Sequence, residues 1–199
     1  MKFIKILLVL IVWSLAVRVV CSVNSIYSAD KFSVQATEFL KEREPERALI
    51  LINKSIEINP LEPSYYRTRA LVYLTAGILE ENGENLSDYK SHAYVDLQKS
   101  LEVNRDSLVT ERNVVPVYYF LANGNPFSVP GAENHDAKFI GETEEFYQML
   151  KSRYSQDAGV ISLVAEYERK LGLTEEYEKS KEMIRVLRPD LLDWYSSFN

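Results

Sequence analysis

Cysteine is almost missing from this 199-residue chain: the single Cys21 excludes an intrachain disulfide and any zinc site built on several thiolates. Histidine is nearly as scarce, His92 and His135 being the only two, which leaves little for a metal cage. Seven glycines and seven prolines are too few for a turn-rich all-β protein. The abundance of Glu, Lys, Leu, Ala and Ile points instead to helices. No cluster of Lys and Arg appears. Three of the 23 basic residues (Lys2, Lys5, Arg18) precede the first acid, Asp30, leaving 20 bases against 29 acids and a formal charge of −9 on the remainder. Such a surface argues against nucleic acid as a partner, because phosphate binding needs clustered cations. A Gly-rich phosphate loop is also lacking.

What is there begins with an apolar amino terminus. Lys2 and Lys5 precede an uncharged run from Ile6 to Val17, followed by Arg18 and Val19 to Ser22. Lysines before an apolar stretch form an export signal. Twelve uncharged residues make a helix of only about 18 Å. Extension to Ser22, with Arg18 reaching back to the interface, gives roughly 25 Å against a ~30 Å bilayer core. Residues 1–22 therefore read as a short apolar helix with three open fates: an uncleaved signal anchor, a cleaved signal near Val20-Cys21-Ser22, or a lipoprotein acylated at Cys21. In each the lysines stay cytoplasmic, so the body is expected on the extracytoplasmic side, periplasmic in a bacterium.

The chain also repeats itself. Residues 51–59 read LINKSIEIN and residues 96–104 read DLQKSLEVN, an offset of 45. Upstream, Ala36, Phe39 and Leu40 match Ala70, Tyr73 and Leu74 at an offset of 34. An insertion of eleven residues in the second copy, around 78–89, reconciles the two offsets. Both halves are amphipathic helices: Phe32, Ala36, Phe39 and Leu40 share a stripe, as do Ala48, Ile52 and Ile56. Glu44-Pro45 starts the second helix and Asn59-Pro60 stops it.

This pattern resembles the tetratricopeptide repeat (TPR), a helix-turn-helix unit of roughly 34 residues. Ala36, Phe39, Ala48, Ile52 and Pro60 take the family's positions in a gapless first copy, from Ala29 to Glu62. Ala70, Tyr73, Gly77, Ala93 and Leu97 do so in a second copy that carries the insertion and has Arg105 where proline is usual. Residues 29–107 are thus expected to form two TPR-like repeats. Residues 108–199 are expected to form degenerate helical repeats with a cap. There, a helix within 105–123 is expected to be kinked or delayed in its start by Pro116, 123–141 is loop, and Thr143 N-caps a helix to about Tyr154. A last hairpin turns around Gly172, and Leu191, Leu192, Trp194, Tyr195 and Phe198 seal the end. The expected architecture is an all-α solenoid of three to four helix pairs.

No residues are ordered for nucleophilic, acid/base or metal chemistry, so the reading is of a non-catalytic protein without cofactor. The resemblance implies a groove lined by first helices that holds another protein or peptide. Its candidate positions are Asp30, Ser33, Thr37 and Lys41 in the first copy, and Ser64, Arg67, Leu71 and Thr75 in the second. Ser33 and Thr37 stand where the carboxylate-clamp subtype has Lys and Asn. Tyr65, Tyr66, Tyr118 and Tyr119 read first as packing residues and second as partner anchors. Two other readings stay open: an enzyme subunit with its site in the 123–141 loop around His135 and Asp136, and a receptor for a small ligand.

Overall fold

The computed structural model describes residues 2–80, 85–124 and 131–196. These form helices α1 (Lys2–Lys41), α2 (Pro45–Ile58), α3 (Pro63–Leu79), α4 (Leu86–Val103), α5 (Leu108–Ala122), α6 (Ile140–Arg153), α7 (Ala158–Leu171), α8 (Thr174–Leu187) and α9 (Pro189–Ser196). The chain is all-α: among the described residues the only extended pairing is a single bridge between Asn123 and His135. Helices α1 and α2, α3 and α4, and α7 and α8 pack as sequential pairs. Helix α2 packs on α3, and α5 touches α3, α4, α6 and α7.

The short apolar helix expected over residues 1–22 does not exist as a separate element. Helix α1 runs unbroken for 40 residues. The linking segment Ser22 to Ser28 contains neither Gly nor Pro, so nothing there ends a helix, and Ser28 Oγ donates back to the Asn24 carbonyl at 2.9 Å. Exposure changes along it. Residues 10–27 are exposed throughout, Leu10, Val12, Trp13 and Val20 among them, whereas Ala29 and Ala36 are fully buried against α2.

Small residues allow the close pairing. Ala36 and Ala48 are inaccessible in the first pair, Ala70 and Ala93 in the second. Gly77 takes this furthest: a Cβ there would lie 2.9 Å from Leu86 Cδ1 and 3.1 Å from Tyr89 Cβ, so α3 and α4 touch closely at this point. Two buried serines close the other ends of the pairs. Ser55 Oγ donates to the Ala29 carbonyl and Ser100 Oγ to the Pro63 carbonyl, both at 2.8 Å. The α1–α2 turn passes through Arg43 at φ 61°, and the α7–α8 turn through Gly172 at φ 74°. The left-handed backbone is unstrained for glycine and costs more at the arginine.

Three clusters make the interior. The largest joins α3 to α7 through Leu74, Leu97, Val114, Tyr118, Leu121, Tyr147, Leu150 and Val164. A second holds α1, α2 and α3 together around Ala29, Ile52 and Tyr65. The third, around Ile161, Ala165 and Ile184, is covered by Leu191 and Leu192 of α9. Of the other expected cap residues, Phe198 lies outside the described residues, as do residues 81–84 of the insertion and 125–130 of the loop, and of Trp194 and Tyr195 the backbone in α9 alone is described.

Two local expectations change. Thr143 is no N-cap: α6 begins at Ile140, and buried Thr143 Oγ1 donates within the helix to the Phe139 carbonyl at 2.9 Å and across to the Tyr118 carbonyl at 3.3 Å. The 123–141 segment is correspondingly shorter as a loop. Pro116 lies inside α5 without delaying its start.

Several tyrosines are raised by burial or by hydrogen bonds to carboxylates, Tyr65, Tyr94, Tyr118 and Tyr147 the most. Burial holds the Tyr118 and Tyr147 phenols above the ordinary 10.0, and Tyr65 likewise, helped by its hydrogen bond to Asp30. Tyr94 is pushed up to about 12 by burial and by its hydrogen bond to Glu142. A phenol whose folded pKa is raised contributes stability that is intact below pH 10.0 and is lost as pH climbs through the folded value. Helical circular dichroism is therefore expected to hold to about pH 10 and then fall cooperatively. Tyrosinate absorbance from these groups should rise with the unfolding; an earlier, independent rise would contradict their burial.

Candidate functional site

The eight positions expected to line a groove fall on two neighbouring helices. Asp30, Ser33, Thr37 and Lys41 follow one another along α1; Ser64, Arg67, Leu71 and Thr75 do so along α3. Spacings of three and four residues keep each set on one helical stripe. Their states differ. Asp30 is exposed but engaged, accepting a hydrogen bond from the Tyr65 hydroxyl. Thr37 is exposed, its hydroxyl turned back to the Ser33 carbonyl at 3.1 Å, and Lys41 is exposed in the last turn of α1. Ser64 is half-buried in the first turn of α3, its N–H bonded to Glu62 Oε1 at 3.1 Å. Leu71 packs against the main core, so it serves the fold as well as the stripe.

Arg67 is the informative member. It is half-buried, and burial pulls its guanidinium pKa down against the attraction of Glu62. Its neighbour Arg69, two residues along and so on the opposite face, is clamped by Asp96 through bonds of 2.8 and 2.7 Å and by Asn53 at 2.9 Å. Arg67 makes no such bond to any described residue.

Sequence reasoning missed what α5 adds. Val109, Arg112, Asn113, Pro116 and Phe120 form a solvent-accessible stripe at helical spacing on a helix that packs against α3. At its end Tyr119 contacts the rings of Phe120 and Tyr167, at centroid distances of 5.3 and 5.5 Å, and Lys170 Nζ lies 4.8 Å from the Tyr167 centroid. The exposed Phe120 was legible as one more apolar residue; only packing reveals that it faces out. Tyr65, Tyr66 and Tyr118 are buried and Tyr119 half-buried, each in the role of a packing residue.

The residues behind the alternative site are tied into the fold. Asp136 pairs with Lys90 at 2.7 Å, and a ring nitrogen of His135 lies 2.7 Å from the Leu171 carbonyl. Among the described residues no group of three or more His, Cys, Asp or Glu is placed to hold a metal ion. A cleft of about 240 Å³ between α3 and α4 is lined by Arg69, Tyr73, Ser91, His92, Val95 and Asp96, where Arg69 is already engaged by Asp96 and Asn53 through three of its five donors. No known protein family matches the chain, and no curated protein matches its sequence.

Proposed function

We propose that this protein is a membrane-anchored TPR-like scaffold or assembly factor of the cell envelope. It binds a segment of another protein on the face built by α1, α3 and α5, and does no chemistry. The observation that carries this reading is the paired serine bond: Ser55 to the Ala29 carbonyl and Ser100 to the Pro63 carbonyl. Donors 45 residues apart meet acceptors 34 residues apart, the same two offsets by which the sequence matches itself. A third pair has kindred dimensions. Helices α2 and α8 are both 14 residues long and each follows a turn through one left-handed residue. Stacked pairs expose a continuous face of first helices, suited to an extended ligand. The half-buried Arg67, which makes no side-chain hydrogen bond to any described residue, offers that face a cation with donors to spare.

Anchoring rests on α1, the one described helix long and apolar enough to cross a membrane, with none of its apolar window buried by the body. The extracytoplasmic side follows from Lys2 and Lys5 at its amino-terminal end.

In-cell crosslinking of the full chain tests the reading. Because Leu71 is needed by the core, the informative variant is Thr37→Asp with Arg67→Glu, two changes outside the core clusters. A partner captured by the wild-type protein and lost from this variant, with helical content unchanged, is the expected result. Identical capture by both would remove the groove.

A further inference from the structure

The continuity of α1 fixes where the body sits relative to the bilayer. Taking Ile6 to Val23 as the segment in hydrocarbon gives a helix of about 27 Å, close to the ~30 Å core, with Arg18 near enough to its outer end to reach the interface. From Val23 to Ala29, the first fully buried residue of the body, is another 9 Å or so of the same helix. No linker intervenes. The body therefore starts within the headgroup layer, not beyond it.

Helix α2 runs back toward the membrane beside α1. Ser55 stands level with Ala29, as their 2.8 Å bond requires. Ile58 lies three residues further along, about 4.5 Å nearer the bilayer, and the chain continues through Asn59, Pro60, Leu61 and Glu62 before α3 begins. This turn is held in place: the Tyr66 hydroxyl donates to the Pro60 carbonyl at 3.0 Å, and Tyr65 donates to Asp30 on α1. Leu61 is 77% exposed and Ile58 39% exposed, an apolar pair presented at the depth where α1 leaves hydrocarbon. Glu57 and Glu62 flank them, which suits zwitterionic headgroups better than anionic ones.

We infer that the α2–α3 turn, through Ile58 and Leu61, lies in the interfacial layer of the bilayer that α1 crosses, so that the body is docked on the membrane surface at a second point. This rests on the anchoring part of the proposed function. The docking restricts the tilt of the body and leaves the far ends of α1 and α3, at Lys41 and Leu79, turned away from the lipid.

The test uses full-length protein carrying Cys21→Ser, with a polarity-sensitive fluorophore on Leu61→Cys or, as reference, on Leu79→Cys at the distal end of α3. Both positions are exposed, and unchanged circular dichroism verifies the fold. The proteins are reconstituted into phosphatidylcholine vesicles containing a headgroup-nitroxide lipid, and flotation with the vesicles establishes anchoring. The expected result is a blue-shifted emission at position 61, quenched several-fold more than at position 79. Equal quenching at the two positions in floating protein would overturn the docked turn while leaving the anchor in place. Protein that fails to float would overturn the anchor and the docked turn together.

Discussion

Replacing Lys151 by methionine is expected to cost about 3–5 kcal/mol, a large share of the stability of a domain this size. Lys151 on α6 donates to Glu168 Oε1 on α7 at 2.6 Å, to Ser180 Oγ on α8 at 3.1 Å and to Glu176 Oε2 at 3.2 Å. Ser180 in turn donates to the second Glu168 oxygen at 2.6 Å. The Glu168 side chain is 1% exposed, so without the ammonium an uncompensated carboxylate remains where water cannot reach it. Attraction between the pair roughly offsets the desolvation of both charges; the penalty comes from leaving one behind. Lys151→Met with Glu168→Leu should therefore recover most of the loss, with Ser180 Oγ still able to turn to a helix carbonyl. Thermal and urea denaturation of the three proteins measures this, and a double variant no better than the single would show the network to be worth more than its charges.

Lys90→Met is expected to cost a similar amount, but with a different pattern of rescue. The ammonium is buried and donates to the Leu121 and Asn123 carbonyls, at 3.0 and 2.6 Å, as well as to Asp136 at 2.7 Å. It thereby satisfies main-chain acceptors at the C-terminal end of α5, where a cation is also favoured by the helix dipole. Adding Asp136→Asn removes the stranded charge but leaves those carbonyls without a donor, so the double variant should stay well below wild type. The loss should also be local. Two main-chain bonds join this segment, Gly124 N–H to the Asn134 carbonyl at 2.6 Å and Asp136 N–H to the Ala122 carbonyl at 2.7 Å, beside a side-chain bond from Asn134 Nδ2 to Asn123 Oδ1 at 2.8 Å. Amide exchange at Gly124 and Asp136 should accelerate far more than in α2 or α8. Uniform acceleration across the molecule would show that Lys90 supports the whole fold.

Neither lysine stands out in the sequence. Lys90 and Lys151 occur among helical residues of ordinary polarity, and only the partners brought from 46 and 17 positions away bury them. The elements themselves were far easier to read. Glu44-Pro45 and Asn59-Pro60 mark the ends of α2 because proline suits a first turn and cannot continue a last one. The helix around Leu171 ends at Gly172 for the matching reason, its left-handed backbone. Where sequence misled, a local signal was outweighed by a neighbour. Thr143 has the chemistry of a cap, yet the turn beginning at Asp136 had already started the helix, and the hydroxyl was used across the α5–α6 contact. The end of the apolar run looked like the end of a helix because polarity changed there, whereas helix termination needs a backbone reason and found none. Among the groove positions, helical spacing placed Asp30 to Lys41 and Ser64 to Thr75 on shared stripes. It gave no sign that Asp30 is already engaged by Tyr65 while Arg67 has no described partner.

The unbroken α1 has one more consequence, and it concerns angle. In an α-helix each residue turns the chain by about 100° as well as advancing it by about 1.5 Å. The count of residues between Val23 and Ala29 thus sets which way the body points around the axis of α1, as a splined shaft sets the phase of a gear. One residue more or fewer in that stretch would barely change the height of the body. It would swing the face carrying Arg67 and Thr37 through more than a quarter of a circle relative to the amino-terminal half of α1.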